Sequence, residues 1–513
     1  MATRTFRPKR DDTMLTEWQS MPEVAPSTTR KEGTLTGQIF LFVGFFLTLV
    51  GSLALIAPLT GWSYFIRPGA GYATLSLGLC FMLYHCFVDP EIQFRRMYGL
   101  AGLGLVTAAL VIRFFPSDVG MGAKFLPLGV PFLFVAMLFL IGVGRHETDP
   151  FWRTLIRGTL LGVAAAGLLW GIGRGFFNAD FLTEEGIVTI VLGLLFALAY
   201  MSLVGEREAD AGYRVAIALG ALGALTFVAA VIRSLTNDEF LVPSGLILGA
   251  VGVVAMTLAY LNSSDRPTIV LARRELNSYF FSPIAYLVIF GLLFIFWFNF
   301  YVFASRLSFG NREPIFEPII VPYAFNFFTV VSIVIMVPFL TMRLLSEERR
   351  SGSLEVLLTA PLNEASIVLG KFLAAWIFFL IAWSPFFVFL VALRIFGDQS
   401  FDYRPVMSFF LALATTGAGF LAMGLFFSSL TSNQIVAAVL TFAGMLLALG
   451  MYWLGDIASN PTIRELSAYC SFLGLWWETA RGFFPVRYFV LHLSVAAFFL
   501  YLTTLTLSAR KWN

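Results

Sequence analysis

A chain of 513 residues that is 58% hydrophobic and 16% aromatic but only 13% charged has too few polar side chains to cover a water-soluble surface. That composition excludes a soluble globule and points to an all-α polytopic membrane protein. The net charge of +3 is too small to argue for nucleic acid, and no basic tract reads as a nucleic-acid site. The three cysteines, Cys80, Cys86 and Cys470, form neither a disulfide framework nor a zinc pattern, so no metal site is expected, at His85 and Cys86 or elsewhere.

Residues 1–34 begin "MATRTFRPKRDD" and stay polar, with no apolar core close behind the charges, which predicts a cytosolic tail. A helix needs about 20 apolar residues to cross the hydrocarbon core. Runs of about that length fall near 37–59, 71–87, 98–115, 125–143, 155–175, 186–204, 214–232, 243–261, 283–303, 323–342, 367–396, 405–428, 435–454 and 487–508, so about 14 spans are expected. A cytosolic N-terminus puts most of the 34 basic residues on the inner side, with Arg95, Arg96, Arg145, Arg153, Arg157, Arg266, Arg273 and Arg274 together there and both termini inside.

The eight spans of residues 35–262 read as multiplied helical hairpins. "VAIALGALGALTFVAAVIRSLTNDEFLVPSG" resembles "GTLLGVAAAGLLWGIGRGFFNADFLTEEG", and a fainter copy starts at "YGLAGLGLVTAALVIRFFPSD". Arg113, Arg174 and Arg233 recur near the outer ends of their spans, either as an outward binding ring or as snorkelling anchors at the interface.

A different half, residues 263–513, follows the junction "NSSDRP". Within "TIVLARRELNSYFF", residues Ile269, Ala272, Leu276, Tyr279 and Phe280 share one face and Arg273, Arg274, Asn277 and Ser278 the other, with Val270 and Leu271 as exceptions. This predicts a helix over 267–282, lying in the membrane interface with its apolar face down and ended before Pro283. Between two apolar spans, residues 343–371 then hold the run Glu347, Glu348, Arg349, Arg350, a turn at Ser351 and Gly352, leucines at 354, 357 and 358, a stop at Pro361, and Asn363 placed to cap the next helix. The run reads as an exposed, charged helix lying across the ends of two spans. Residues 455–487 are too long and too aromatic for a simple outer loop and predict short re-entrant helices, with Glu465, Glu478 and Arg481 kept out of full burial.

"LLSEERRSGSLEVLLTAPLNEASIVLGKFLAAW" resembles the intracellular loop of ABC-2-type transporter permeases, above all the gliding-motility and copper-processing branch. "LARRELNSYFFSPIAYLVIFGLLF" is similar to the opening of that branch, and the ending "LSARKW" also fits. The resemblance covers about residues 266–513 and leaves the first eight spans unexplained. It implies a six-span core of the type V exporter-like kind, an elbow helix at Arg273, Arg274 and Glu275, and a coupling role for Glu347, Glu348, Arg349, Arg350, Gly352, Glu355, Pro361 and Lys371 against a separate nucleotide-binding ATPase subunit. It also implies a homodimer or heterodimer of permeases in a bacterial-type plasma (inner) membrane, with room for a periplasmic or membrane accessory subunit. No G-x-x-x-x-G-K-[ST] occurs, because Gly370–Lys371 lacks the upstream glycine and is followed by Phe372, so ATP and magnesium are expected on the partner and no cofactor on this chain. No loop offers paired carboxylates or a nucleophile–base pair, so the chain is expected to be a non-catalytic subunit coupling ATP hydrolysis to export. The alternative is a membrane scaffold or sensor in an ABC-type complex that does mechanical or signalling work.

Overall fold

The computed structural model describes residues 35–56, 68–88, 92–114, 125–204, 209–237, 240–281, 283–308, 318, 320–355, 362–396 and 402–511. All regular structure among them is helical, with no strand. Among the described residues, twelve helices are long and apolar enough to cross a membrane, and two shorter apolar stretches, Ile39–Ala54 and Val130–His146, bring the number to the about 14 that the hydropathy pattern predicts. The chain is a multi-pass membrane protein. It divides into two compact units, residues 1–170 with 188–209 and residues 171–187 with 210–513.

The first unit holds α1 (Leu35–Ile56), α2 (Pro68–Val88), α3 (Ile92–Phe114), α4 (Val130–His146) and most of α5 (Pro150–Gly175) and α6 (Ile187–Leu203). Helices α1 and α2 approach so closely that a Cβ on Gly51 would stand 2.5 Å from the backbone nitrogen of Leu75. Small residues at a crossing let backbones meet where lipid supplies no hydrophobic drive for association. The unit's core centres on Tyr98 stacked on Phe139 at 5.4 Å, with Leu140, Val143, Ile156, Leu160 and Phe196 buried around it.

Two arginines tie its hairpins shut at the ends that run toward the next hairpin. Arg95, near the start of α3, donates to the carbonyl of His146 at the end of α4, and Arg157 donates to Leu203 at the end of α6 at 2.7 Å. A helix leaves its last carbonyls without intrahelical partners, and a cation there satisfies them and suits the helix dipole.

The second unit holds α7 (Ala209–Thr236), α8 (Leu246–Ser263), α9 (Pro267–Phe281), α10 (Pro283–Ser308), α11 (Ile320–Ala324), α12 (Phe327–Thr341), α13 (Ser346–Ser351), α14 (Glu364–Phe396), α15 (Arg404–Leu430), α16 (Gln434–Ile457), α17 (Pro461–Cys470), α18 (Phe472–Ala480) and α19 (Val486–Lys511). Its centre is α15, most of whose residues are buried, whereas most of α16 is not. Glycines explain how so many neighbours fit: a Cβ on Gly417 would lie 2.4 Å from the Phe379 ring, and one on Gly424 would lie 2.3 Å from Thr341. Around α15 sits an aromatic core of Phe296, Tyr323, Trp383, Phe386, Phe409 and Trp476. Its polar edges find partners in the Trp476 indole donating to Thr416 at 3.1 Å and the Tyr323 hydroxyl donating to Phe386 carbonyl at 3.0 Å.

The segment 455–487 contains two short helices that behave differently. In α18, Phe472, Leu473, Leu475, Trp476, Thr479 and Ala480 are buried and Ser408 of α15 donates to the Thr479 carbonyl at 2.7 Å. Along α17, Glu465 is exposed, as is Arg481 just past α18, while Glu478 is half-buried.

The repeated arginines share one local construction. Arg113 lies 5.3 Å from the ring centre of Phe125, Arg174 4.6 Å from Phe181, and Arg233 4.6 Å from Phe240. Each phenylalanine opens or immediately precedes a π-helical turn that ends in glycine: Phe125–Gly129, Leu182–Gly186 and Leu241–Gly245. Stacking a guanidinium on a ring stabilises by about 0.5–1 kcal/mol at exposed sites. Each arginine thus fastens its helix to the start of the next.

Candidate functional site: the charged insert and its buried lysine

The insert begins where α12 unwinds through residues 342–345 into α13. Its start is fixed by α15: the backbone N–H groups of Leu345 and Ser346 both donate to Ser428 Oγ at 3.1 Å, and the Ser346 hydroxyl donates to Met342 carbonyl. At the same end Arg349 donates to the Ser429 carbonyl at 3.1 Å, capping α15. Helix α13 stops at Gly352, whose φ of +74° is a left-handed cap that favours glycine. Beneath the charges, Leu344, Leu345 and Leu354 are buried with Val368 and Ala375 of α14, Leu425 of α15 and Leu507 of α19. Asn363 caps α14 as its spacing predicts, its Oδ1 accepting from Ala365 N–H at 3.3 Å.

The sequence reads the charge run as one exposed face, and the structure splits it in two. Glu347, Arg350, Gly352 and Glu355 are exposed, and Glu347 is engaged by Arg343 at 3.5 Å. Glu348 and Arg349 turn inward. Lys371, on the first turns of α14, is 2% exposed, and its Nζ lies 2.7 Å from Glu348 Oε1 and 3.2 Å from Glu275 Oε2. Arg274 reaches the other oxygen of Glu275 at 2.9 Å, so two cations balance two carboxylates. The reason for the split is helical geometry: successive residues project about 100° apart, so neighbours in a charge run cannot all face water once one side of the helix is packed. Pro361 lies outside the described residues.

Helix α9 covers the stretch expected to lie on the membrane interface, and its apolar face meets other helices of the chain. Ile269, Leu271 and Ala272 are buried. Tyr279 stacks on Phe378 at 4.9 Å and donates to the Leu340 carbonyl at 3.2 Å. That face packs on α14 and the end of α12. Leu271, an exception to the helical-wheel face, is seated against Gly370, where a Cβ would stand 3.0 Å from the leucine side chain. The glycine before Lys371 therefore lets α9 come close enough for Glu275 to reach the lysine. On the opposite side of the same turn, Arg273 donates to the carbonyls of Asn262 at 3.2 Å and Ser264 at 2.6 Å, at the end of α8.

Electrostatics follow from this packing. Burial alone would raise the Glu275 carboxyl, but the Lys371 ammonium, then Arg274, hold it below its usual value of 4.5. The Tyr279 phenol is pushed up, chiefly by burial and further by the Glu275 charge. Ion pairs of this depth cost several kcal/mol per ion to desolvate, which good geometry must offset. Chemically the site offers a rigid joint and one charged outer face. Ser428 and Ser429 were invisible as members of it in the sequence, because a serine at a helix end carries no mark of which distant N–H it meets.

A family model described as ABC-2 family transporter protein matches residues 179–463, more than half of the chain, and takes in the last array hairpin, α9 and the whole insert. No curated protein and no solved structure matches the chain. With the match running through the insert and the spans on both sides of it, the chain belongs to the ABC-2 family of transporter proteins.

Proposed function

We propose that this permease subunit is driven by a separate ABC ATPase that seats on the exposed face of α13 and its continuation, Glu347, Arg350, Gly352 and Glu355. Family membership implies pairing with an ABC ATPase in general, and permeases of this family are membrane transport subunits, generally not catalytic themselves. The observation that carries the assignment to this face is the asymmetry of the insert: its inner side is joined by side chains to α9, α14 and α15 while its outer side keeps exposed charges of both signs. A push on such a surface cannot be absorbed locally, since Lys371, Ser428 and the leucines pass it to the spans. Motion of this kind is the ordinary hinge and shear of packed helices. ATP and magnesium belong to the partner in this reading, the insert and both termini face the cytosol across a bacterial-type plasma membrane, and the stroke powers export by a dimer of permeases.

The test is hydrolysis by the ATPase subunit reconstituted with the full-length chain in vesicles. Wild type should stimulate turnover, and the combined reversal Glu347→Lys, Arg350→Glu, Glu355→Lys should remove the stimulation while membrane insertion persists, because exposed ion pairs add under about 1 kcal/mol to folding whereas like charges across an interface cost several. Unchanged stimulation in that variant would show that the ATPase docks elsewhere.

A further inference from the structure

Two hairpins of the array close through an arginine of their own. Arg95 and Arg157 stand 18 and 17 residues before the ring-stacked Arg113 and Arg174, and each caps the returning helix of its hairpin, at His146 and Leu203. In the third hairpin the corresponding residue is Arg214, 19 residues before Arg233, and it donates to Asp210 within its own helix at 3.2 Å. The end of α8 is capped from outside the array, by Arg273 of α9. Two residues on, Glu275 leaves the same turn about 200° away around the helix and meets Lys371, which also holds Glu348 of α13. One turn of α9 is therefore gripped on one side by the carbonyl end of the array and on the other by the cation that holds the insert.

We propose that Arg273 and Glu275 are positioning residues that make α9 a lever, so that displacement of α13 reaches α8 and the last array hairpin is a driven element of the transporter rather than a passive anchor. The proposal rests on the transporter reading only for the source of the push; the mechanical link itself is a property of this chain. Three features support a stiff link. Glu348, Lys371 and Glu275 are charged partners at 2.7 and 3.2 Å, Leu271 is wedged against Gly370, and α8 and α9 are separated by only residues 264–266.

The link is read by hydrogen exchange on the full-length chain in lipid nanodiscs with no ATPase present, since local opening rates report which elements unfold together. Glu348→Gln, which touches nothing in α8, should speed exchange of the last-turn amides of α8 (259–263) by roughly fivefold, and Arg273→Ala by a similar factor, with no further gain in the double variant, because sites that act through one element are non-additive. Glu347→Gln, one residue away on the exposed side, should leave those amides at the wild-type rate. Reciprocity supplies a second reading should Glu348→Gln fold poorly: Arg273→Ala should speed exchange in α13. Wild-type α8 exchange in Glu348→Gln, or effects of the two substitutions that multiply, would overturn the lever. Because no ATPase enters, that failure would leave the transporter reading standing, and loss of ATPase stimulation in the outer-face variant bears on the docking surface alone.

Discussion

Glu347 and Glu348 are adjacent, identical in chemistry and opposite in fate. The first stands in water with Arg343 as a loose partner at 3.5 Å; the second is drawn onto a lysine that is 2% exposed. The difference teaches that a charged run between two spans is two devices back to back. Its outer charges are free to meet another protein, whereas its inner charges fix where the insert sits. Substitutions on the inner side should therefore damage the chain itself, and those on the outer side only its dealings with a partner.

The largest effect is expected at Lys371. Replacing it with methionine leaves the half-buried Glu275 and Glu348 near each other without their shared cation. Breaking a fully buried pair costs about 3–5 kcal/mol, and with both carboxylates partly solvated the loss should fall at or below the lower end of that range. Thermal unfolding in detergent should show the loss, and restoring neutrality with Glu275→Gln and Glu348→Gln in the same chain should recover much of it. A triple variant no more stable than the single one would mean the ion cluster does not position the insert.

A smaller loss is expected at the stop of α13. Gly352 holds φ at +74° with open space around it, so Gly352→Val meets no clash and fails only through backbone strain, about 1–2 kcal/mol. The same substitution at an exposed helical site should cost less; equal costs would remove the left-handed cap from the account.

The pH response is the smallest and has a fixed sign. Glu275 is held below its ordinary value of 4.5, so the unfolded chain binds the proton more readily than the folded one. Its contribution is complete above that ordinary value and is lost as pH falls through the depressed folded value. Stability should be level from about pH 8 to about pH 5 as far as this group is concerned. Below that it should decline, and the decline should shrink in Glu275→Gln.

Hydropathy made the fold class legible. Lipid demands long apolar helices whatever their neighbours are, so the runs near 71–87, 405–428 and 487–508 announce α2, α15 and α19 without any knowledge of packing. The recurrence of Arg113, Arg174 and Arg233 was legible too, although the rings they stack on and the π-helical turns beside them were not. What the sequence left hidden depends on contacts between distant segments. Nothing near Lys371 marks it as buried, because the residues that bury it lie on α9 and α13, and the low-complexity run "TTGAGFLAMG" of α15 gives no sign that its glycines face Phe379 and Thr341. The amphipathic pattern of α9 was visible, but period alone does not say which helices its apolar face packs on.

The split between the two faces of the insert is tested most directly by matched reversals, Glu347→Lys and Glu348→Lys, each assayed for thermal stability in detergent and for stimulation of the ATPase subunit in vesicles. Glu347→Lys should keep the wild-type melting midpoint while stimulation weakens by roughly tenfold, equivalent to about 1.4 kcal/mol. Glu348→Lys should lower the midpoint sharply, because a second cation is forced against buried Lys371. Equal melting midpoints for the two variants, or full stimulation by Glu347→Lys, would contradict the split.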